Sequence, residues 1–161
     1  MTSQDAPGYT RLDICRRFVA SVKHSTLLEL EVLEADEETV RVRMPYQDVL
    51  VGNPETGVTH GGAIFALMDQ AGGLANACRI FPDFEITPTI DMRVDHLRAP
   101  RPRHAVVCEA HCYRLSQHVA FVRMSVFEEG TENEPASSEL LATGLATYMR
   151  MKLPGASRVV N

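Results

Sequence analysis

The residues of this chain best suited to chemistry on a carbonyl group are His60-Gly61-Gly62, with Asp69 following on the same segment. The two glycines stand where a loop becomes a predicted helix, so unpaired backbone N–H groups and the positive end of the helix dipole would face a ligand. Such a site binds anions or a developing oxyanion. The alternative is an ordinary flexible helix entry with Thr59 as the cap.

Asp69 is the only charged residue between His60 and Arg79, on a segment of otherwise apolar character. Burying a lone carboxylate costs several kcal/mol unless it is paired, hydrogen-bonded or protonated. A buried carboxylate of this kind is typical of a functional site. The alternative is that Asp69 faces solvent or caps a neighbouring loop.

Gly61 and Asp69 are too far apart on one helix to touch the same small group, since eight residues rise about 12 Å. In a two-fold dimer with antiparallel helices side by side, Asp69 of one chain would approach Gly61 of the other. We therefore predict active sites at a dimer interface.

The elements that must position these residues follow from apolar periodicity. Helical spacing predicts a short helix from Leu12 and a long buried helix from Gly61 to about Cys78. Six strands are predicted, at residues 27–33, 39–44, 87–97, 105–115, 118–127 and 139–149, with a long loop at 45–59. A sheet wrapped around the buried helix, an α+β fold, is the most economical packing.

Gly72 and Gly73 lie inside the long helix, where each costs about 1 kcal/mol relative to Ala. We therefore expect another element, a partner helix or a strand of the sheet, to approach the helix closely there. A weak helix end is the alternative.

Composition limits the classes of protein. With 161 residues the chain forms one domain, predicted at residues 9–150 between a frayed start at 1–8 and a mobile tail at 151–161. The net charge of −5 argues against nucleic-acid binding. No membrane segment or signal-peptide profile is recognisable, so a cytoplasmic location with four reduced cysteines is expected. The six histidines form no metal-ligand cluster in the sequence, so no metal site is predicted.

Three stretches carry a resemblance to the PaaI-like hot-dog thioesterases, which extends from about residue 27 to 149. They are Asn53 with the run from Thr59 to Asp69, the strand Thr89-Ile-Asp-Met-Arg-Val-Asp95, and Leu97-Arg-Ala-Pro100. The resemblance implies a long helix wrapped by an antiparallel sheet. It also implies homodimers whose strands join into one sheet, and homotetramers formed by pairs of such dimers.

By the same resemblance, the reaction is hydrolysis of an acyl-CoA, with no cofactor beyond the coenzyme A of the substrate. Asp69 would activate water or attack the thioester, and the Gly61 N–H of the other subunit would polarise its carbonyl. His60 and Asn53 would orient the substrate, and Thr89 would hold the water. The segment from Asn53 to His60 is one residue longer than in many relatives.

Coenzyme A carries phosphates, so a basic patch is expected near the site, and Arg98, Arg101 and Arg103 could form it. A solvated turn is the alternative interpretation of these arginines. Gly62 and Gln70 are also assigned to substrate binding.

Two other functions are alternatives. Asp91 and His96 have hydratase-like spacing, but they are an odd number of residues apart on a predicted strand and so face opposite sides. Leu74 also stands where dehydratases of this fold tend to carry an acidic residue. A non-catalytic acyl-CoA-binding protein is the other alternative. The acyl group, whether aryl, medium-chain or long-chain, is left open.

Overall fold

The computed structural model describes residues 8–133 and 135–152. The helices are α1 (Arg11–Ser21), α2 (Lys23–Leu27) and α3 (Gly61–Ile80), with a 3-10 turn at Asp48–Leu50. The strands are β1 (Glu31–Ala35), β2 (Thr39–Met44), β3 (Val51–Asn53), β4 (Val58–Thr59), β5 (Thr89–His96), β6 (Val106–Leu115), β7 (Val119–Glu128) and β8 (Leu140–Met149).

The main sheet has six antiparallel strands in the order β1-β2-β6-β7-β8-β5, and α3 packs against it. Burial alternates along β2 and β7, as expected when one face of a strand covers a core and the other faces out. The core joins these inward residues to the apolar side of α3, including Ile64, Leu67, Met68 and Leu74. The predicted α+β hot-dog architecture is confirmed.

Strand β5 differs from the others because nearly all of it is exposed. It pairs with β8 on one side only and forms one edge of the sheet. Ile90, in this strand, keeps 54% of its surface exposed. An exposed edge with an apolar side chain is a template for pairing with another strand.

One strand boundary was predicted wrongly. Residues 27–30 do not extend β1, because α2 ends at Leu27 and the chain turns at Glu29, whose φ is 52°. Leu28 and Leu30 are both buried in the core, so their alternation reflects burial of a helix end and a turn. The predicted loop at 45–59 also contains structure, the β3–β4 hairpin.

The predicted mobile ends lie mostly outside the described residues, which omit 1–7 and 153–161. Met151, at the start of the predicted tail, exchanges backbone hydrogen bonds of 3.0 and 2.9 Å with Ile86. This bridge attaches the segment after α3 to the end of β8.

Close approach at the helix glycines is confirmed for Gly72, where the element that approaches is strand β8. A Cβ on Gly72 would lie 2.8 Å from Cζ of Tyr148, closer than real contacts allow. At Gly73 no strand of this chain approaches, since nothing described lies within 4 Å of the Cβ position, and approach by a partner helix stays a prediction.

Candidate active site

The N-terminus of α3 is organised by His60, which is the N-cap residue in place of the Thr59 considered above. His60 Nδ1 accepts a hydrogen bond of 2.9 Å from the Gly62 N–H. This bond uses the lone pair of Nδ1, so a neutral His60 carries its proton on Nε2. One N–H at the helix end is therefore occupied by the imidazole.

The β3–β4 hairpin holds His60 in place. The His60 N–H donates to the Leu50 carbonyl oxygen at 2.8 Å. A Cβ on Gly52 would lie 3.0 Å from His60 Cδ2 and 3.1 Å from its Cα, so glycine lets the hairpin pack closely against the histidine there. No spacing in the sequence indicates this contact of Gly52, because the segment at 45–59 is predicted as an irregular loop.

Gly61 presents its backbone to the β5 side of the helix. No described residue accepts a hydrogen bond from the Gly61 N–H, which leaves it open to a ligand. A Cβ on Gly61 would lie 3.3 Å from Cε1 and 3.4 Å from Nε2 of His96. The His96 imidazole thus borders the helix end, a position that its hydratase-like spacing from Asp91 does not indicate.

Asp69 lies two turns along α3, and Thr89 at the start of β5 donates to its Oδ1 at 2.6 Å. Among the described residues none donates to Oδ2, so this oxygen can face a water or a substrate. The side chain is half-buried in the single chain. Thr89, predicted to hold the water, here orients the carboxylate that would activate it.

Tyr148 fixes the backbone at Asp69, because its hydroxyl donates to the Asp69 carbonyl oxygen at 3.1 Å. Burial raises the pKa of Tyr148, and the nearby Asp69 charge raises it further. The phenol therefore stays protonated and remains a donor at physiological pH.

A cavity of about 220 Å³ opens beside Asp69 and Thr89. Its lining comes from α1, α3 and the segment at 84–88, and most of the side chains are apolar. The segment is attached by Glu85, which is buried and receives two hydrogen bonds, of 2.8 and 2.7 Å, from Arg150. A carboxylate at the opening of an apolar cavity can act on the polar end of a mostly apolar ligand.

Comparison with known proteins places this geometry in a family. The model of the thioesterase superfamily matches residues 56–134, which include His60, Gly61, Asp69 and Thr89. A putative esterase of Halobacterium salinarum is 32% identical over 103 residues, covering 63% of this chain and 67% of that protein. The chain belongs to the thioesterase superfamily. The predicted family and the predicted class of enzyme, a thioester hydrolase, are confirmed.

Further similar proteins extend the match over most of the chain. The medium/long-chain acyl-CoA thioesterase YigI of Escherichia coli is 26% identical over 144 residues, 82% of this chain and 88% of YigI. A crystal structure of a Pseudomonas aeruginosa protein has a TM-score of 0.74 and 38% identity, covering 88% of this chain and all of that one. PaaI of Escherichia coli shares the fold, with a TM-score of 0.70, 15% identity and coverage of 84% and 89%.

The structure places Asn53 and Gln70 in local contacts. Asn53 Oδ1 accepts from the Glu55 N–H at 3.0 Å, within the turn between β3 and β4. Its carboxamide oxygen thus closes the turn between β3 and β4. Gln70 lines the cavity, and its Oε1 accepts from the Ser25 hydroxyl at 2.8 Å, which leaves the amide NH₂ to face a ligand.

Of the three arginines predicted to bind coenzyme A, two are held in ion pairs. The backbone N–H and Nε of Arg101 each donate to the buried Glu128 at 2.5 Å, and Arg98 lies 3.7 Å from the same carboxylate. Burial alone would raise the pKa of Glu128, but these bonds from Arg101 hold it below its ordinary value. Arg103 is exposed, beside a surface depression that Tyr46 also lines.

Within residues 8–133 and 135–152, no group of three or more His, Cys, Asp or Glu side chains is arranged to hold a metal ion. In the same part of the chain, no helix has both the length and the apolar character needed to cross a bilayer. All four cysteines are free thiols, and the sulfurs of Cys15 and Cys78 lie 3.5 Å apart.

Proposed function

We propose that this protein hydrolyses acyl-CoA thioesters to a free acid and coenzyme A, at sites formed between two copies of the chain. The observation that carries the proposal is Asp69, oriented by Thr89 at the opening of an apolar cavity. The Gly61 N–H at the helix end, which donates to no described residue, supports it, as does the activity named for the relative YigI.

In the proposed reaction, Asp69 acts as a general base through its Oδ2 atom. It takes a proton from water, the hydroxide oxygen bonds to the thioester carbonyl carbon, and negative charge develops on the carbonyl oxygen. The C–S bond then breaks, and the thiolate of coenzyme A leaves and takes up the proton. Because a thiolate leaves readily, a carboxylate base is sufficient; direct attack by Asp69 would give the same products.

The developing oxyanion would be bound by the Gly61 N–H of the partner chain. Helix α3 is unbroken from Gly61 to Ile80, so Gly61 and Asp69 of one chain are about 12 Å apart along the axis. A two-fold axis between antiparallel α3 helices would bring the two groups together from different chains. The open edge of β5 supports such a dimer, because pairing of two β5 strands would join the sheets.

Within this proposal, His60 keeps the helix end in shape and offers its Nε2–H to the substrate. Asn53 acts through the turn of the β3–β4 hairpin, and Gly62 leaves room for the His60 ring. Arg103 is our candidate for a coenzyme A phosphate. Arg98 and Arg101 form ion pairs with Glu128 and would therefore contribute only weakly to binding coenzyme A.

The test is release of free thiol from a panel of acyl-CoAs by the wild-type protein and by Asp69→Asn. We expect Asp69→Asn to lower kcat by about 10²- to 10⁴-fold, the usual contribution of a general base. The matched control is Asp83→Asn, an exposed carboxylate in the turn after α3, which should keep wild-type kinetics. Circular dichroism and sedimentation would confirm that each variant keeps its fold and assembly.

Two outcomes would contradict the proposal. Equal rates for Asp69→Asn and wild type would remove Asp69 from the mechanism. Tight binding of acyl-CoA by the wild type, with no thiol released from any ester, would identify a non-catalytic binding protein.

A further inference from the structure

The cavity beside Asp69 joins polar and buried apolar residues in one lining. Asp69 and Thr89 line it together with Cys15 of α1 and Leu74 of α3, which are both about 1% exposed. Phe84 also lines it. A chain attached to a carbonyl group at Asp69 would therefore contact a mostly apolar surface.

The size of the cavity limits what it can hold. An engineered cavity of about 150 Å³ binds benzene, with its six carbon atoms, so by that comparison the 220 Å³ here has room for about nine carbon atoms. The space thus fits a medium-length chain and is too small for all of a palmitoyl chain.

Gly73 of α3 lies beside this space. It lines the cavity four residues after Asp69, which puts both residues on the same face of the helix. A Cβ there would meet no described atom within 4 Å, whereas one on Gly72 would collide with Tyr148. Packing within the chain explains Gly72 but not Gly73, which lies beside the cavity.

We propose that the acyl chain of a medium-chain substrate occupies this cavity, and that Gly73 sets the upper limit on its length. The inference rests on the proposed thioesterase function and adds the substrate class and the residue that selects it. Each carbon added to residue 73 would take space from the acyl chain, because the Cβ position faces the cavity.

The experiment is a graded series, Gly73→Ala, Gly73→Val and Gly73→Leu, assayed with butyryl-, hexanoyl-, octanoyl-, decanoyl- and palmitoyl-CoA. For the wild type, kcat/KM should rise with chain length to about octanoyl and then level off or fall. Through the series, the ratio of kcat/KM for octanoyl- to butyryl-CoA should fall stepwise, by about tenfold or more at Leu, as expected when methylene contacts in an apolar pocket are lost.

Two further variants test the opposite change, a larger cavity, and provide a control outside the cavity. Phe84→Ala enlarges the cavity, so it should move the preferred chain length upward. Ala20→Leu enlarges an exposed residue of α1 that does not line the cavity, so it should leave the octanoyl-to-butyryl ratio unchanged.

The outcomes separate this inference from the proposed function. Wild-type protein that hydrolyses no acyl-CoA refutes the function. Wild-type protein that is active, with the same chain-length profile in Gly73→Leu and Phe84→Ala, overturns the role of the cavity and of Gly73. If Gly73→Leu does not fold, the profiles of Gly73→Ala and Phe84→Ala decide the question.

Discussion

At the scale of single residues, the candidate site is built from backbone as much as from side chains. The His60 imidazole occupies one N–H of the helix end, and the neighbouring Gly61 N–H is left for a ligand. Asp69 has one carboxylate oxygen fixed by Thr89 and one open. Asp69 thus has one oxygen fixed and one available to the substrate, and the helix end has one N–H occupied and one available. Such an arrangement is expected of a preorganised site.

The closeness of Gly61 to His96 gives a prediction about why this position is glycine. A Cβ would lie 3.3 Å from the His96 ring, and it would also crowd a thioester oxygen approaching the Gly61 N–H. We expect Gly61→Ala to lower kcat/KM by about 10²-fold, because small displacements of a reacting group have effects of that size. Thiol-release kinetics of Gly61→Ala, His96→Ala and the double variant would measure it.

The double variant distinguishes the two reasons for a glycine at position 61, which are room for the substrate and room for the His96 ring. If room for the substrate is the reason, removing the His96 ring does not restore the activity of Gly61→Ala, and this is the result we expect. Full recovery in Gly61→Ala/His96→Ala would contradict the prediction, since it would show that Gly61 only makes space for His96.

At the scale of elements, the adjacent glycines of α3 serve different purposes. Gly72 packs under Tyr148, and Gly73 faces the cavity. Gly72→Ala should lower the free energy of unfolding by about 1–3 kcal/mol through overpacking. Gly73→Ala should raise it by up to about 1 kcal/mol, because Ala is the better helix former and meets no atom there. Urea unfolding of the two variants, each the control for the other, would test this; equal effects would contradict it.

Some elements could be predicted from the sequence because their signals are local. Helix α3 was predicted to within two residues of its end, since an apolar pattern follows the His60-Gly61-Gly62 entry without interruption. The β3–β4 hairpin was missed because strands of three and two residues are too short to show alternation. Leu28 and Leu30 misled the prediction of β1, because burial at a turn produced the same spacing as a strand.

The site was predictable only in part, for a related reason. Asp69 and Gly61 stand out within one segment, whereas the contacts of His96 with Gly61 and of Thr89 with Asp69 join α3 to β5, the next element of the chain. Strand periodicity indicates which face of β5 a residue occupies, but it does not indicate which residue of α3 lies opposite. Likewise, the pairing of Arg101 with Glu128 is set by the packing of a loop against the end of β7, which no spacing reveals.

At the scale of the whole molecule, the proposed site is complete only when two chains meet. In that proposed site one chain would supply Asp69 and the other would supply Gly61, so two different inactive variants should complement each other. In a mixed dimer of Asp69→Asn and Gly61→Val, one site carries both substitutions, and the other has wild-type Asp69 and wild-type Gly61. A site contained within one chain would give no such recovery.

Co-expression of the two variants with different affinity tags, followed by purification on both tags in sequence, would isolate the mixed dimer. Its kcat per dimer should be about half that of the wild type, because one of two equivalent sites is intact. For an unfractionated mixture formed at random, the expected value is about one quarter, since half of the dimers are mixed. Activity no higher than that of the separate variants would show that Asp69 acts with Gly61 of its own chain or without it, and the two-chain site would have to be abandoned.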